Sequence, residues 1–300
     1  MTSVLRPPRP RGTPWTAFVL SGGGNQGVAQ VGMLRALLER GILPDVVIGT
    51  SAGALNGAAI ATSPTLERVD ILERLWVALD GEAVFPGGAF KRVWNVLRRD
   101  DHLITNRGLE EVIASSKPAA TFADLKVPLR VVTTDLITGA EHVIVSGPVA
   151  PALLASAALP GIFPPVQLNG HTLIDGAVVN LVPISHALAG PIDRIFVLDI
   201  SDPISERPIR SPLDVVIRAF AISRDLRYEL EIQWIPEDVQ LCVLPAPVDD
   251  RDFFDFSDGQ RLIDEAYAHA VAALDELETP AEEALAEEPK RARWWKRLAS

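Results

Sequence analysis

The sequence predicts an α/β fold, a three-layer α/β/α arrangement with a mainly parallel central sheet spanning residues 15–277. Three observations lead there. Short continuous apolar runs, such as Ala17–Leu20 and Val46–Ile48, have the length and composition of strands buried on both faces. These two runs are separated by a helical pattern, the alternation that builds βαβ units. With 300 residues, 48% hydrophobic and 22% charged, the chain is long enough to bury one large α/β core or two small ones.

Taken in order, residues 1–14 form a Pro/Arg leader with no apolar segment behind it, so disorder is expected rather than a secretory signal. Ala17–Leu20 is the first strand and runs directly into Ser21-Gly22-Gly23-Gly24-Asn25-Gln26-Gly27. A helix over about Val28–Arg40 places Val31, Leu34, Leu37 and Leu38 on one face, and Gly41 ends it. The strand from Val46 then stops at Gly49-Thr50-Ser51-Ala52-Gly53, and a small-residue helix continues to about Thr62. Such a βαβ unit has parallel strands, so the glycine loop and Ser51 emerge at the same C-terminal edge, where open α/β sheets place their ligands.

Leu66–Leu79 reads as an amphipathic helix, and 81–101 as an irregular stretch that either caps the site or packs as a surface helix. Arg107–Ser115 is helical; Leu129–Thr134 and His142–Val145 are strands about the turn Asp135-Leu136-Ile137-Thr138-Gly139. A helix over Val149–Ala158 leads to the rigid loop Leu159–Pro165. Thr172–Ile174 is a short strand that enters Asp175-Gly176-Ala177. Ile195–Ile200 and Val239–Leu244 complete the strands, Leu213–Ile235 is a long helix, and Ser257–Leu277 is the last amphipathic one. Residues 278–300 form a tail, acidic and then basic, ending in the Trp-containing segment Lys290–Leu298.

Composition excludes some classes of function. A net charge of −11 argues against general nucleic-acid binding, which needs a basic face. The single cysteine, Cys242, rules out an intrachain disulfide framework and fits a reducing, cytoplasmic setting; its apolar surroundings mark it as a buried strand thiol. No run of 18 apolar residues is present to span a bilayer. Basic residues and tryptophan both favour an anionic lipid interface, so the tail segment Lys290–Leu298 is expected to make peripheral membrane contact, unless it pairs with the acidic half of the tail.

The chemistry concentrates in three places. Gly49-x-Ser51-x-Gly53 has the pattern of a nucleophile elbow, in which flanking glycines allow a tight strand-to-helix turn and the helix N-terminus favours a developing anion. Gly22, Gly23 and Gly24 can present N–H groups to an oxyanion, though Gly22-x-Gly24-x-x-Gly27 also matches the dinucleotide fingerprint. That fingerprint expects an acidic residue at the end of the second strand, where this chain has Gly49-Thr50-Ser51. Asp175 lies between apolar residues, a costly place for a carboxylate unless a hydrogen bond or a function holds it. Partial desolvation would make it a stronger base; alternatively it only bonds the amides of its own turn. Of the five histidines, His102, His142, His171, His186 and His269, none lies in a motif that marks it as catalytic, and His269 is the candidate if a histidine triad operates.

Together these motifs resemble the patatin-like phospholipase family. The resemblance rests on Gly22–Gly27, on Gly49-Thr50-Ser51-Ala52-Gly53 and on Asp175-Gly176-Ala177, supported by Asp135–Gly139 and Ala155–Pro160, in order and in register from about residue 17 to 200. It implies a patatin-like fold and a Ser–Asp dyad without histidine, with Ser51 as nucleophile, Asp175 as base, and Gly22, Gly23 and Gly24 as oxyanion hole. It also implies lipid or acyl-ester substrates and no metal or other cofactor. The family's glycine loop usually carries Arg or Lys where this chain has Gln26, which leaves the oxyanion hole to backbone donors. Gln26 is also the best argument for the alternative of a lipid-binding scaffold.

Overall fold

Strand β1 (Thr16–Leu20) is buried at every position, as a strand covered on both faces must be. It lies between β2 (Val46–Thr50) and β7 (Arg194–Asp199), parallel to both, and β7 continues parallel to β8 (Gln240–Pro245). On the other side β2 runs parallel to β3 (Leu129–Asp135), and β4 (Glu141–Ile144) folds back antiparallel on β3. β5 (Val166–Leu168) and β6 (His171–Asp175) form an antiparallel pair joined to β3 through β6. The hydrogen-bonded order is β5-β6-β3-β2-β1-β7-β8, with β4 off that path. The computed structural model describes residues 14–79, 105–201, 209, 212–247, 251 and 255–278. The expected leader, the stretch 81–101, His102 and the tail segment Lys290–Leu298 therefore lie outside the described residues, apart from Pro14 at the end of the leader.

Alternation along β1 divides the core. Phe18 and Leu20 face α1 (Ala29–Glu39), α2 (Ala52–Thr62), α3 (Leu66–Ala78) and α7 (Gly259–Glu278), in a cluster extended by α4 (Arg107–Ser115) and α5 (Val149–Ser156). Ala17 and Val19 face the opposite layer, built from the turns around Val182–Ala187 and from Tyr228 of the long helix α6 (Pro212–Gln233). This is the expected three-layer α/β/α fold with a mainly parallel sheet. Cys242 is buried in β8 as expected, and burial pushes its thiol pKa up to about 12. Among the described residues no helix is long and apolar enough to cross a membrane.

Three local differences from the sequence reading have simple causes. The residues before α1 form a tight 3-10 turn over Gly24–Val28, because Gly24 takes a positive φ of 58° that ends the glycine loop before the α-helix begins. β5 follows Pro164-Pro165 directly, and at three residues, with the middle one exposed, its apolar alternation is too brief to read. The stretch 176–189, for which no element is read from the sequence, contains two 3-10 turns, and the second of them (Ile184–Ala189) packs Ile184 and Ala187 into the layer opposite α1, beside Tyr228 of α6.

The crossing of α1 and α7 at Gly32 makes a clear prediction. A Cβ on Gly32 of α1 would stand 2.1 Å from the carbonyl oxygen of Ile263 on α7. On an exposed helix Gly→Ala stabilises by roughly 0.5–1 kcal/mol. Here overpacking reverses the sign, and Gly32→Ala should lower the urea-unfolding free energy by about 1–3 kcal/mol.

Candidate active site

The site is built on the edge of β3. Thr50 of β2 pairs with Val132, whereas Asp175 of β6 pairs with Thr133, the next residue along. Val131 and Val132 already have β4 on their other side, and so do Thr133 and Thr134. A strand has two edges, so β2 and β6 must occupy the same one, end to end. The end of β2 delivers Ser51, the end of antiparallel β6 delivers Asp175, and residues 124 positions apart meet: the Ser51 Oγ–H donates to Asp175 Oδ2 at 2.8 Å.

Ser51 has φ 54° and ψ −123°, a conformation non-glycine residues rarely hold, which costs about 1–3 kcal/mol. Several contacts over-determine it. Its N–H donates to Ser156 Oγ at 2.9 Å, and Ser156 Oγ in turn donates to the Val132 carbonyl at 2.7 Å. Its carbonyl accepts from Ala54 and Leu55 in the first turn of α2. The helix can start there only because Gly53 lacks a Cβ, which would lie 2.3 Å from the Leu20 carbonyl oxygen, and Gly49 is as closely confined by Gly53 and Ala54.

Asp175 is 2% exposed. Burial is the largest influence on its carboxyl and raises its pKa to about 7, against the opposing hydrogen bonds from the Ala177 N–H (2.8 Å, to Oδ1) and from Ser51. Gly176 lets the chain turn immediately after Asp175, since a Cβ there would stand 2.4 Å from the Val132 carbonyl oxygen. Asp175 thus bonds the amide of its own turn through one oxygen and accepts from the serine hydroxyl through the other.

The glycine loop abuts this pair. A Cβ on Gly22 would lie 3.2 Å from Ser51 Cβ. The Gly22 N–H, however, donates to the Leu181 carbonyl at 3.0 Å, so of the three expected oxyanion donors this one is already engaged. The Gly23 and Gly24 N–H groups take no acceptor among the described residues. Behind the loop runs a buried polar chain that the sequence reading missed. Trp76 Nε1 donates to Asn56 Oδ1, Asn56 Nδ2 to the Gly27 carbonyl and to Gln30 Oε1, and Gln30 Nε2 to the carbonyls of Ser21 and Leu198. Ser21 Oγ accepts from the Ile200 N–H. Gln26 is buried, and Gly27 is pressed between Trp76 and Ala52.

None of the four described histidines bonds Ser51 or Asp175. His171 Nδ1 lies 2.6 Å from Asp135 Oδ2, chiefly as a result of which the Asp135 carboxyl is held down at about 2. His186 Nε2 lies 2.7 Å from Glu141 Oε1. The His142 ring rests on that of His171 at 4.2 Å between centroids, and burial lowers its pKa. His269, the candidate for a triad, is exposed on α7. Among the described residues no group of His, Cys, Asp and Glu is arranged to hold a metal ion.

The arrangement joins a strained serine at a helix N-terminus, a buried carboxyl poised near neutrality, and two adjacent backbone donors. Comparison with known proteins bears on it directly. A family model described as patatin-like phospholipase matches residues 18–188, which include all three motifs. The patatin-like phospholipase domain-containing protein 7 of Rattus norvegicus is 31% identical over 186 residues, 61% of this chain and 13% of that protein. The neuropathy target esterase sws of Drosophila grimshawi is 30% identical over 168 residues, 55% of this chain and 11% of that protein. The chain thus spans only a small part of the length of these relatives. Among solved structures VipD from Legionella pneumophila superposes with a TM-score of 0.50 at 14% identity, covering 88% of this chain and 67% of that one, a likeness of fold. With the family model matching more than half of its length, the chain belongs to the patatin-like phospholipase family.

Proposed function

We propose that this protein is a serine hydrolase of acyl esters, acting on lipid substrates through a Ser51–Asp175 dyad. The observation that carries the reading is the 2.8 Å hydrogen bond from the Ser51 hydroxyl to a buried carboxyl with a pKa of about 7. A serine hydroxyl is a weak nucleophile until a base takes its proton, and a base works best when its pKa lies near the working pH. The family membership and the names of the relatives, phospholipase domain proteins and an esterase, support a lipid ester as substrate. Contact with a lipid surface through the basic segment 290–298 belongs to the same proposal.

The reaction runs in two steps. Asp175 Oδ2 accepts the Ser51 proton as Ser51 Oγ bonds to the ester carbonyl carbon, and the carbonyl oxygen takes up the negative charge. The Gly23 and Gly24 amides hold that oxygen; a donor of this kind is worth about 3–4 kcal/mol in the transition state. The C–O bond breaks, the proton on Asp175 passes to the departing alcohol, and an acyl-serine remains. Asp175 then takes a proton from water, whose oxygen attacks the acyl carbon; the fatty acid leaves and Ser51 Oγ recovers the proton. Gly22 shapes the loop through Leu181 instead of donating to the oxyanion.

Ser51→Ala should abolish hydrolysis of p-nitrophenyl and phospholipid esters and labelling by a fluorophosphonate, while the thermal unfolding transition persists. Asp175→Asn should lower kcat by about 10²–10⁴-fold. Residual activity within tenfold of wild type in a folded Asp175→Asn protein would overturn the dyad.

The raised carboxyl sets two pH dependences. Below pH 7 Asp175 carries a proton and cannot take that of Ser51, so kcat/KM should fall about tenfold per pH unit on the acid side of an apparent pKa of about 7. Stability runs the other way. Between the ordinary value of 3.8 and the folded value of about 7 the native state keeps a proton that the unfolded chain releases. The corresponding stabilisation is complete below the lower value and lost as pH rises through the upper one. Asp175→Asn should therefore be more stable than wild type at pH 8, by at least ~1 kcal/mol in urea melts, with the gap closing towards pH 4.

A further inference from the structure

Around the segment that follows Asp175 lies a partly buried cluster of charge that the dyad chemistry does not use. Glu231 of α6 is fully buried. Its Oε1 accepts from Arg227 Nε and Ser185 Oγ, each at 2.7 Å, and its Oε2 from the Ser185 N–H at 2.9 Å. Arg227 reaches across to Glu141 at the start of β4, donating from Nη2 to Oε2 at 2.7 Å, while Glu141 Oε1 faces His186 Nε2. Between the two carboxylates sits Asn180, 2% exposed, whose Nδ2 donates to Glu141 Oε1 at 2.9 Å and to Glu231 Oε1 at 3.3 Å. Arg227 Nη1 also donates to the carbonyl of Val179 at 3.2 Å. The segment 179–181 is thus held from one side by two carboxylates and a guanidinium supplied by β4 and α6.

Its backbone grips both halves of the site. The Asn180 carbonyl accepts from Thr50 Oγ1 at 2.9 Å, one residue before the nucleophile, and the Leu181 carbonyl accepts from the Gly22 N–H at 3.0 Å, one residue before the oxyanion donors. The same segment follows Asp175-Gly176-Ala177, the Asn180 N–H closing on the Gly176 carbonyl. We propose that Asn180, clamped by Glu141, Glu231 and Arg227, is a positioning residue that sets the place of the Ser51 hydroxyl relative to the Gly23 and Gly24 amides. No other residue of the described chain bonds through its own side chain to this clamp and through its backbone to the strand that delivers Ser51. Its kinetic consequence rests on the hydrolase reading above; its structural one does not. Ion pairs drawn out of water, as those of Glu231 are, are seldom a source of net stability, and a register or spacing role is the better-attested reason to keep them.

The test uses Asn180→Ala and Asn180→Asp, the second keeping the volume but losing both N–H donations, with Glu231→Gln as a variant on the clamp itself. Arg107→Ala, which breaks only an exposed pair with Glu111, is the control. Active sites are counted with a fluorophosphonate, so that turnover of a short p-nitrophenyl ester is expressed per competent site and loss of folded protein is factored out. A shift of about 1 Å at a reacting atom costs roughly 100-fold. The expected result is a fall of about 10–100-fold in kcat per titrated site, with KM within about twofold of wild type. Amide exchange should speed in peptides covering residues 20–28 and 48–56, and stay unchanged over helix 259–278. Per-site kcat and exchange within about twofold of wild type in folded variants would overturn the proposal. A wild-type chain that neither labels nor cleaves esters would sink the hydrolase reading alone, and the exchange comparison would still decide the clamp.

Discussion

The site depends on one constraint, the sharing of a single edge of β3 by two strands that arrive from opposite directions. β2 ends against Val132 and β6 ends against Thr133, so neither can extend without displacing the other. The chain must leave the sheet at both ends, at Ser51 through a strained turn into α2 and at Asp175 through Gly176. Register is strict here because a one-residue slip would turn Asp175 to the opposite face of the sheet and the buried Leu173 and Ile174 with it. The contact between hydroxyl and carboxyl is therefore enforced by strand pairing that the hydrophobic core already specifies, and its geometry is inherited from the sheet instead of from flexible loops.

Two carboxylates, Glu141 partly buried and Asp175 fully so, are treated oppositely by the protein. Burial would raise the pKa of Glu141, but His186, Asn180 and Arg227 outweigh it and hold the group down at about 2, fully charged. Asp175 receives a backbone N–H and a hydroxyl, neither of which carries charge, and its pKa stays high. The difference lies in the partners and in depth, since Asp175 is fully withdrawn from water whereas Glu141 stays partly exposed. Placing a cation near Asp175 would make it a permanently ionised and weak base. Arg227 is close by but spends its donors on Glu141, Glu231 and the Val179 carbonyl. Segregating the guanidinium in this way keeps the anionic cluster neutralised and leaves Asp175 poised.

Much of the fold was legible in the sequence because its signals are local. Apolar runs marked β1, β2, β7 and β8 within a residue or two, and Gly-x-Ser-x-Gly marked the elbow, because the steric demand at Gly49 is set by Gly53 and Ala54 within the motif's own turn, even though Gly53 is confined by Leu20 and Ser21 at the end of β1. Asp175 could be singled out since an acidic residue after Leu173-Ile174 conflicts with its surroundings. What stayed hidden is non-local. Ser156 reads as one small residue in a helix, yet it ties the Ser51 amide to β3. Asn56 and Gln30 look like helix polar positions but support the glycine loop from behind. Gly22 looks equivalent to its two neighbours until Leu181, 159 residues later in the chain, takes its N–H. The cluster around Glu231 joins β4, the segment after β6 and α6, and no periodicity connects residues so far apart.

On the proposed dyad, the same non-local bonds account for how a carboxylate alone would serve where a histidine is often found. An imidazole brings its own near-neutral pKa and needs a third group to orient it; a carboxylate brings a lower pKa and must be shifted by its surroundings. In this fold the shift comes from burial at the junction of β2, β3 and β6, and the orientation comes from the Ala177 N–H on Oδ1, which leaves Oδ2 turned to Ser51. Orientation and basicity are thus separated between the two oxygens of one side chain. In the proposed reaction the cost is a charge that must be formed in an apolar setting whenever Asp175 is ready to act as base. The surrounding strand edge, the over-determined serine turn and the clamp on Asn180 are what keep the protein from relaxing away from that cost, because each fixes backbone that would otherwise move to let water reach Asp175.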